Sequence, residues 1–119
     1  MIFGLGNDII EINRIEKAIS KEGFKEKVFT GKELKLIISK GNKAETYAGR
    51  FSAKEAISKA FGTGVRGFKL LDIEILEDEL GKPIVFLKNN LLLKYKDFNL
   101  SVSISHSKEY ATAVAIVEK

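Results

Sequence analysis

The sequence predicts an α+β fold, a single compact domain in which an antiparallel sheet packs against a long central helix. Three observations predict it. Strand-like segments stand at both ends of the chain, at residues 2–10, 100–105 and 111–117. Residues 70–77 and 84–87 read as two strands joined by a turn through Glu79–Pro83. Residues 44–61 are rich in alanine and free of proline, and they form the longest helical candidate. With 119 residues the chain has room for one ordinary domain, covering 1–119.

The elements follow in order. Residues 2–10 are apolar and β-branched except at Gly4, Gly6, Asn7 and Asp8. A helix is expected over 11–22, where Ile12, Ile15 and Ile19 repeat at spacings of three and four before Gly23. Thr30 and Glu33 have capping-box spacing, in which hydroxyl and carboxylate each satisfy a free amide, so a helix should run from 31 to about 39. Gly41 and Asn42 stop it. Gly62 stands just beyond the long helix as a C-terminal cap. A short helix is expected over 88–96.

Composition narrows the function. The chain is 45% hydrophobic and 30% charged, as in ordinary globular proteins. It has no cysteine, which excludes disulfides, thiolate zinc sites and a cysteine nucleophile. Its single histidine, His106, rules out any site that needs two histidines, as zinc hydrolases do. No stretch approaches the roughly 20 apolar residues of a membrane span, and residues 1–10 lack the basic start of a signal peptide, so a cytoplasmic location is expected. The net charge is +4, and it is uneven. Residues 1–66 carry 13 Lys/Arg against 8 Asp/Glu, whereas residues 67–119 carry 7 against 8. The excess lies in residues 14–43, which include Arg14 and Lys21. Such a zone is either a solvated lysine-rich surface or a site for an acidic partner.

Three residues break the local pattern, and broken patterns tend to mark function. Alternation puts Gly4, Gly6 and Asp8 on one side of the first strand, so a carboxylate stands beside two residues without side chains. Glycine there marks close approach by a ligand or by another backbone. The alternative is a bulge with Asp8 capping the next helix, and the strand alone leaves both open. Glu55 projects with Ala44, Ala48 and Phe51 on what should be the core-facing stripe of the long helix. A buried carboxylate needs a partner. Lys59, one turn on, offers an ion pair, and a metal or ligand is the other choice. His106 shares a strand face with Val102 and Ile104, a position more often structural than catalytic.

Two carboxylates without cysteine or a second histidine suit a hard cation such as Mg²⁺, held with substrate phosphates and water. Arg50, Lys54 and Lys59 on the long helix add cations suited to phosphate. The Gly62–Gly64 turn offers backbone amides but is not a Walker loop. The residues alone therefore point to metal-assisted handling of a phosphate-containing substrate.

The same places carry a resemblance. Gly4-Leu-Gly6-Asn-Asp8 through Arg14, Phe29-Thr30-Gly-Lys-Glu33, Ala48-Gly-Arg50 through Lys54-Glu55, Lys59 and Gly62-Thr-Gly64, Gly81-Lys82-Pro83, and Ser103-Ile-Ser105-His106 through Tyr110 resemble the motifs of the holo-acyl-carrier-protein synthases. The match runs in order along essentially the whole chain. It implies the 4'-phosphopantetheinyl transferase fold and a bacterial enzyme of fatty acid biosynthesis. Such an enzyme moves 4'-phosphopantetheine from coenzyme A to a serine of an apo-acyl carrier protein and releases adenosine 3',5'-bisphosphate. It implies a homotrimer with active sites shared between subunits. By the resemblance, Asp8 and Glu55 ligate Mg²⁺, and Lys59 contacts phosphate near the scissile bond. Arg50 and His106 hold coenzyme A, and Gly62 and Gly64 line the nucleotide pocket. The basic first helix, around Arg14 and Lys21, docks the acidic carrier protein. The family often has an acid where this chain has Lys35, so no general base is assigned on that helix. The competing readings are a non-enzymatic basic module binding nucleic acid through residues 14–43, and an inactive relative that keeps only the fold. The first would need aromatic residues interleaved with the lysines, and that zone has only Phe24 and Phe29.

Overall fold

The computed structural model describes residues 1–62 and 67–119. The elements are β1 (Ile2–Glu11), α1 (Ile12–Ile19), α2 (Phe24–Val28), α3 (Gly31–Ser39), α4 (Ala44–Ala60), a 3-10 turn (Leu70–Asp72), β2 (Ile73–Glu77), β3 (Pro83–Leu87), α5 (Asn89–Tyr95), β4 (Asn99–His106) and β5 (Tyr110–Glu118). Two antiparallel sheets result. One has strand order β1-β5-β4, and the other is the β2–β3 hairpin. The α+β expectation, with an antiparallel sheet on a long central helix, holds.

Helix α4 crosses the inner face of the three-stranded sheet, and side-chain size explains how closely. Ala113 and Ala115 of β5 are buried there with Ala53, Ala56 and Ala60 of α4, and Ala111 is buried in a second cluster with Tyr47 and Ala48. On β1 a Cβ at Gly4 would lie 1.8 Å from the Ala60 carbonyl oxygen, and one at Gly6 would lie 2.0 Å from that of Ala56. The glycines of β1 therefore mark close approach by another backbone, that of α4. This seating brings Asp8, the next inward residue of β1, against the middle of α4.

A second core joins α1, α2 and α3 to the first half of α4, around Ile15, Phe29, Ile37 and Tyr47. A buried ion pair runs through it. Lys54 Nζ donates to Glu33 Oε1 at 2.7 Å, to the Val28 carbonyl at 2.6 Å and to the Leu70 carbonyl at 3.1 Å, and both side chains are 0% exposed. Glu33 also accepts from the backbone amides of Thr30 and Ile75. Burial pulls the Lys54 ammonium below its ordinary pKa, and Glu33 opposes that. The predicted capping box at Thr30 and Glu33 is present. Its carboxylate does double duty as the counter-ion of Lys54.

Several expectations need correction. The first helix stops at Ile19, and residues 24–28 form a separate helix that begins after Gly23 at φ 85°. Five residues are too few to show a helical period. Residues 70–72 form a 3-10 turn rather than the start of a strand, with the Lys69 amide bonded to Asp72 Oδ2. The N-cap of α1 is Glu11, so Asp8 does not cap it. Gly62 does close α4, with φ 81° and its amide on the Lys59 carbonyl.

Candidate active site

Asp8 is held from three sides. Ser52 of α4, itself fully buried, donates its hydroxyl to Asp8 Oδ2 at 3.0 Å and lies 3.2 Å from the Asp8 carbonyl oxygen. Thr112 of β5 donates to the same carbonyl at 2.8 Å. Lys59 Nζ reaches Asp8 Oδ1 at 3.2 Å and the Asn7 carbonyl at 3.0 Å. Ser52, Glu55 and Lys59 stand at i, i+3 and i+7 of α4 and share one face, and that face looks onto the inward side of β1.

Glu55 is half-buried, not part of the core. Of the same stripe Ala48 is fully buried, while Ala44 and Phe51 are half-buried like Glu55. The deepest side of α4 runs instead through Ala53, Ala56, Ile57 and Ala60, because the sheet and the hairpin press on the helix from that side. The anticipated Glu55–Lys59 pair does not form either. The Lys59 ammonium goes to Asp8 instead. Burial pushes the Glu55 carboxyl above the usual carboxylate range, the nearby Asp8 charge adds to this, and Lys59 partly offsets it. No hydrogen bond to the Glu55 carboxylate exists among the described residues. Asp8 and Glu55 border a groove of about 400 Å³ whose other walls include Arg14, Ile15, Phe24 and Phe51.

The cationic residues fall in three places, and Lys54, expected to suit phosphate, is instead wholly buried on Glu33 in the core. Arg50 and His106 line a different groove, of about 440 Å³, together with Lys40, Glu77, Lys82 and Ser103. Arg50 is buried and donates from Nη2 to Glu77 Oε2 at 3.0 Å, while its Nε has no partner among the described residues. Burial alone would raise the Glu77 carboxyl, but hydrogen bonds from Lys40 and Arg50 outweigh that and hold it below the usual range. His106 is exposed at the end of β4. Gly62 follows α4, whereas Gly64 lies outside the described residues. Arg14 and Lys21 are exposed beside the first groove and after α1, respectively.

The structure thus brings together Asp8, Glu55 and Lys59, and separately Arg50 and His106. Sequence reasoning missed Ser52, Thr112 and Glu77. Ser52 had a legible signal in its i+3 spacing to Glu55. Thr112 and Glu77 reach the site only through strand register and hairpin placement.

The site fits Mg²⁺ by its donor set. Asp8 and Glu55 present hard carboxylate oxygens, and no cluster of three metal-ligating side chains exists among the described residues. A cation that keeps several waters and takes substrate phosphates asks for no more than two protein carboxylates.

Known proteins agree with this architecture. A family model described as the 4'-phosphopantetheinyl transferase superfamily matches residues 4–115. The holo-(acyl-carrier-protein) synthase of Fusobacterium nucleatum is 63% identical over 98% of this chain and 99% of its own length. The crystal structure of the Bacillus anthracis synthase in complex with CoA (3',5'-ADP) superposes with a TM-score of 0.84 at 44% identity, covering 100% of this chain and 98% of that one. The Helicobacter pylori synthase in complex with coenzyme A gives 0.85 at 35% identity, over 96% and 99%. This chain belongs to the 4'-phosphopantetheinyl transferase superfamily and, within it, to the holo-(acyl-carrier-protein) synthases.

Proposed function

We propose that this protein transfers 4'-phosphopantetheine from coenzyme A to a serine of an apo-acyl carrier protein, with Mg²⁺. The observation that carries the chemistry is the convergence of Asp8, Glu55 and Lys59 where β1 meets α4. The serine oxygen forms a bond to the phosphorus that carries pantetheine. The pyrophosphate P–O bond breaks, adenosine 3',5'-bisphosphate leaves with the bridging oxygen, and the serine proton passes to water. Such transfer needs positioning and neutralisation of phosphate charge more than covalent help. Mg²⁺ on Asp8 and Glu55 would supply charge neutralisation at the pyrophosphate. Lys59, half-exposed at the mouth of the site, places its ammonium on a phosphate oxygen.

Arg50 and His106 serve the phosphates of coenzyme A, with the unpartnered Arg50 Nε as a spare donor. They lie in a different groove of the same chain from Asp8 and Glu55, which supports a homotrimer in which one subunit's carboxylate groove meets its neighbour's Arg50–His106 groove. The outer face of the three-stranded sheet supports assembly too, since Leu5, Ile9 and Val114 stand exposed there. The basic surface around Arg14 and Lys21 receives the acidic carrier, charge complementarity speeding encounter and setting register. Gly62 lines the nucleotide pocket, and the enzyme works in the cytoplasm.

Intact-mass spectrometry of an apo-acyl carrier protein incubated with the protein, coenzyme A and Mg²⁺ tests this. A gain of one phosphopantetheine that a chelator prevents is the expected result. No gain with a competent carrier overturns it.

A further inference from the structure

Ser52 is a buried polar residue to which the proposed reaction gives no part. It is 0% exposed, and a serine in a helix interior usually turns its hydroxyl back to the helix's own carbonyls. Ser58, six residues along the same helix, does so, donating to the Lys54 carbonyl at 2.9 Å. Ser52 does otherwise. Its hydroxyl leaves α4 and donates to the Asp8 carboxylate at Oδ2, 3.0 Å away.

That bond divides the Asp8 carboxylate. Oδ2 faces the buried hydroxyl, and Oδ1 faces the exposed side, where among the described residues only the half-exposed Lys59 meets it. The Asp8 backbone is fixed as well, since its carbonyl accepts from Thr112 and its strand is seated by Gly4 and Gly6 on α4. The carboxylate is therefore pinned at Oδ2 from the buried side, and Oδ1 meets the half-exposed ammonium of Lys59, which a cation at that oxygen would displace.

This bears on which cation the site accepts. Mg²⁺ demands near-ideal octahedral geometry and takes carboxylates one oxygen at a time, whereas Ca²⁺ accepts flexible, higher coordination and bidentate carboxylates. Partners that orient a ligating side chain typically control about 10–100-fold in metal affinity. We infer that Ser52 is a positioning residue that keeps Asp8 a one-oxygen ligand and thereby favours Mg²⁺ over Ca²⁺ at this site. The inference rests on the assignment of Asp8 as a metal ligand.

The test is metal binding rather than turnover. Mn²⁺ bound to the protein in the presence of coenzyme A is followed by electron paramagnetic resonance, and Mg²⁺ and Ca²⁺ are titrated in as competitors. Ser52→Ala removes one hydroxyl from a helix interior where alanine is the best helix former, so the fold is expected to survive, as thermal unfolding will show. The expected result is a Mg²⁺ affinity about 10-fold weaker with the Ca²⁺ affinity unchanged or improved. Equal changes for the two ions, or none for either, overturn the inference. Asp8→Asn separates the two levels of the argument. If Asp8→Asn abolishes Mn²⁺ binding while Ser52→Ala leaves selectivity intact, the metal site stands and the role of Ser52 falls. If Asp8→Asn binds Mn²⁺ like the parent, the metal assignment itself falls.

Discussion

Lys59 crosses from α4 to β1 and places its ammonium 3.2 Å from Asp8 Oδ1, passing over Glu55 one turn back on its own helix. The ammonium thus occupies the outward oxygen of the candidate metal ligand. Lys59→Gln should leave the fold intact, because the side chain is about half exposed and such pairs contribute little to stability. Phosphopantetheine transfer should fall by about 100-fold or more, on the scale of a lost preorganised donor, as read by carrier mass gain over time. Undiminished transfer would remove Lys59 from the site.

Glu55 carries the pH prediction. Its carboxyl lies above the usual range through burial and then through Asp8, with Lys59 opposing. A raised folded-state value means that the group's contribution to stability is fully present below the ordinary carboxylate value. It is lost as pH rises through the raised one. In metal-free protein, ¹³C NMR of Glu55 should therefore show a midpoint above that of the exposed glutamates. Asp8→Asn should lower the midpoint and Lys59→Gln should raise it. A midpoint in the ordinary range that ignores both substitutions would contradict the arrangement.

The seating of β1 on α4 gives a stability test. Gly6→Ala would put a methyl group 2.0 Å from the Ala56 carbonyl, a clash with backbone that only separation of strand and helix relieves. A loss of about 1–3 kcal/mol is expected by analogy with overpacked cores, measured by denaturant midpoint. Because Asp8 and Glu55 sit across that same seam, transfer should fall further than the folded fraction does.

Lys54→Met should be more damaging than any surface change. It strands Glu33 as a fully buried carboxylate without its counter-ion, which costs about 3–5 kcal/mol when one partner of a buried pair is removed. Urea denaturation checks this directly. Glu33→Gln, added to Lys54→Met, should recover part of the loss, because the buried charge is then gone from both partners.

The proposed sharing of active sites between subunits predicts complementation. Asp8→Asn and Arg50→Ala proteins should each be inactive alone. Mixed after reversible dissociation, they should regain transfer, since some sites would then combine an intact Asp8 with a neighbour's intact Arg50. A mixture no more active than its parts would place both residues in a site built from one chain.

Much of this was legible in the chain. Glycine at 23, 41, 62 and 81 does adopt positive φ, as turn and cap positions require. The capping box at Thr30 and Glu33 formed as its spacing predicts, and α4 spans nearly its whole predicted length. Asp8 and Glu55 stood out because a carboxylate in an apolar strand and one on an apolar helix stripe defy local pattern. These are short-range facts, fixed by backbone sterics, side-chain period and capping within a few residues.

Tertiary structure decided the rest. Whether Gly4 and Gly6 faced a ligand or another backbone depended on where α4 lay. Whether Lys59 paired with Glu55 or Asp8 depended on a strand some fifty residues away. That Arg50 is tied to Glu77, and lies in a different groove of the chain from Asp8, follows from how the β2–β3 hairpin packs beside the helix. Partners of this kind are chosen by strand register and helix seating, which are set by the whole core at once and leave no periodic trace in the sequence. So the sequence by itself determined most of the elements and marked Asp8, Glu55 and Lys59 as candidates, and only the packing of α4 on the sheet decided which of them meet.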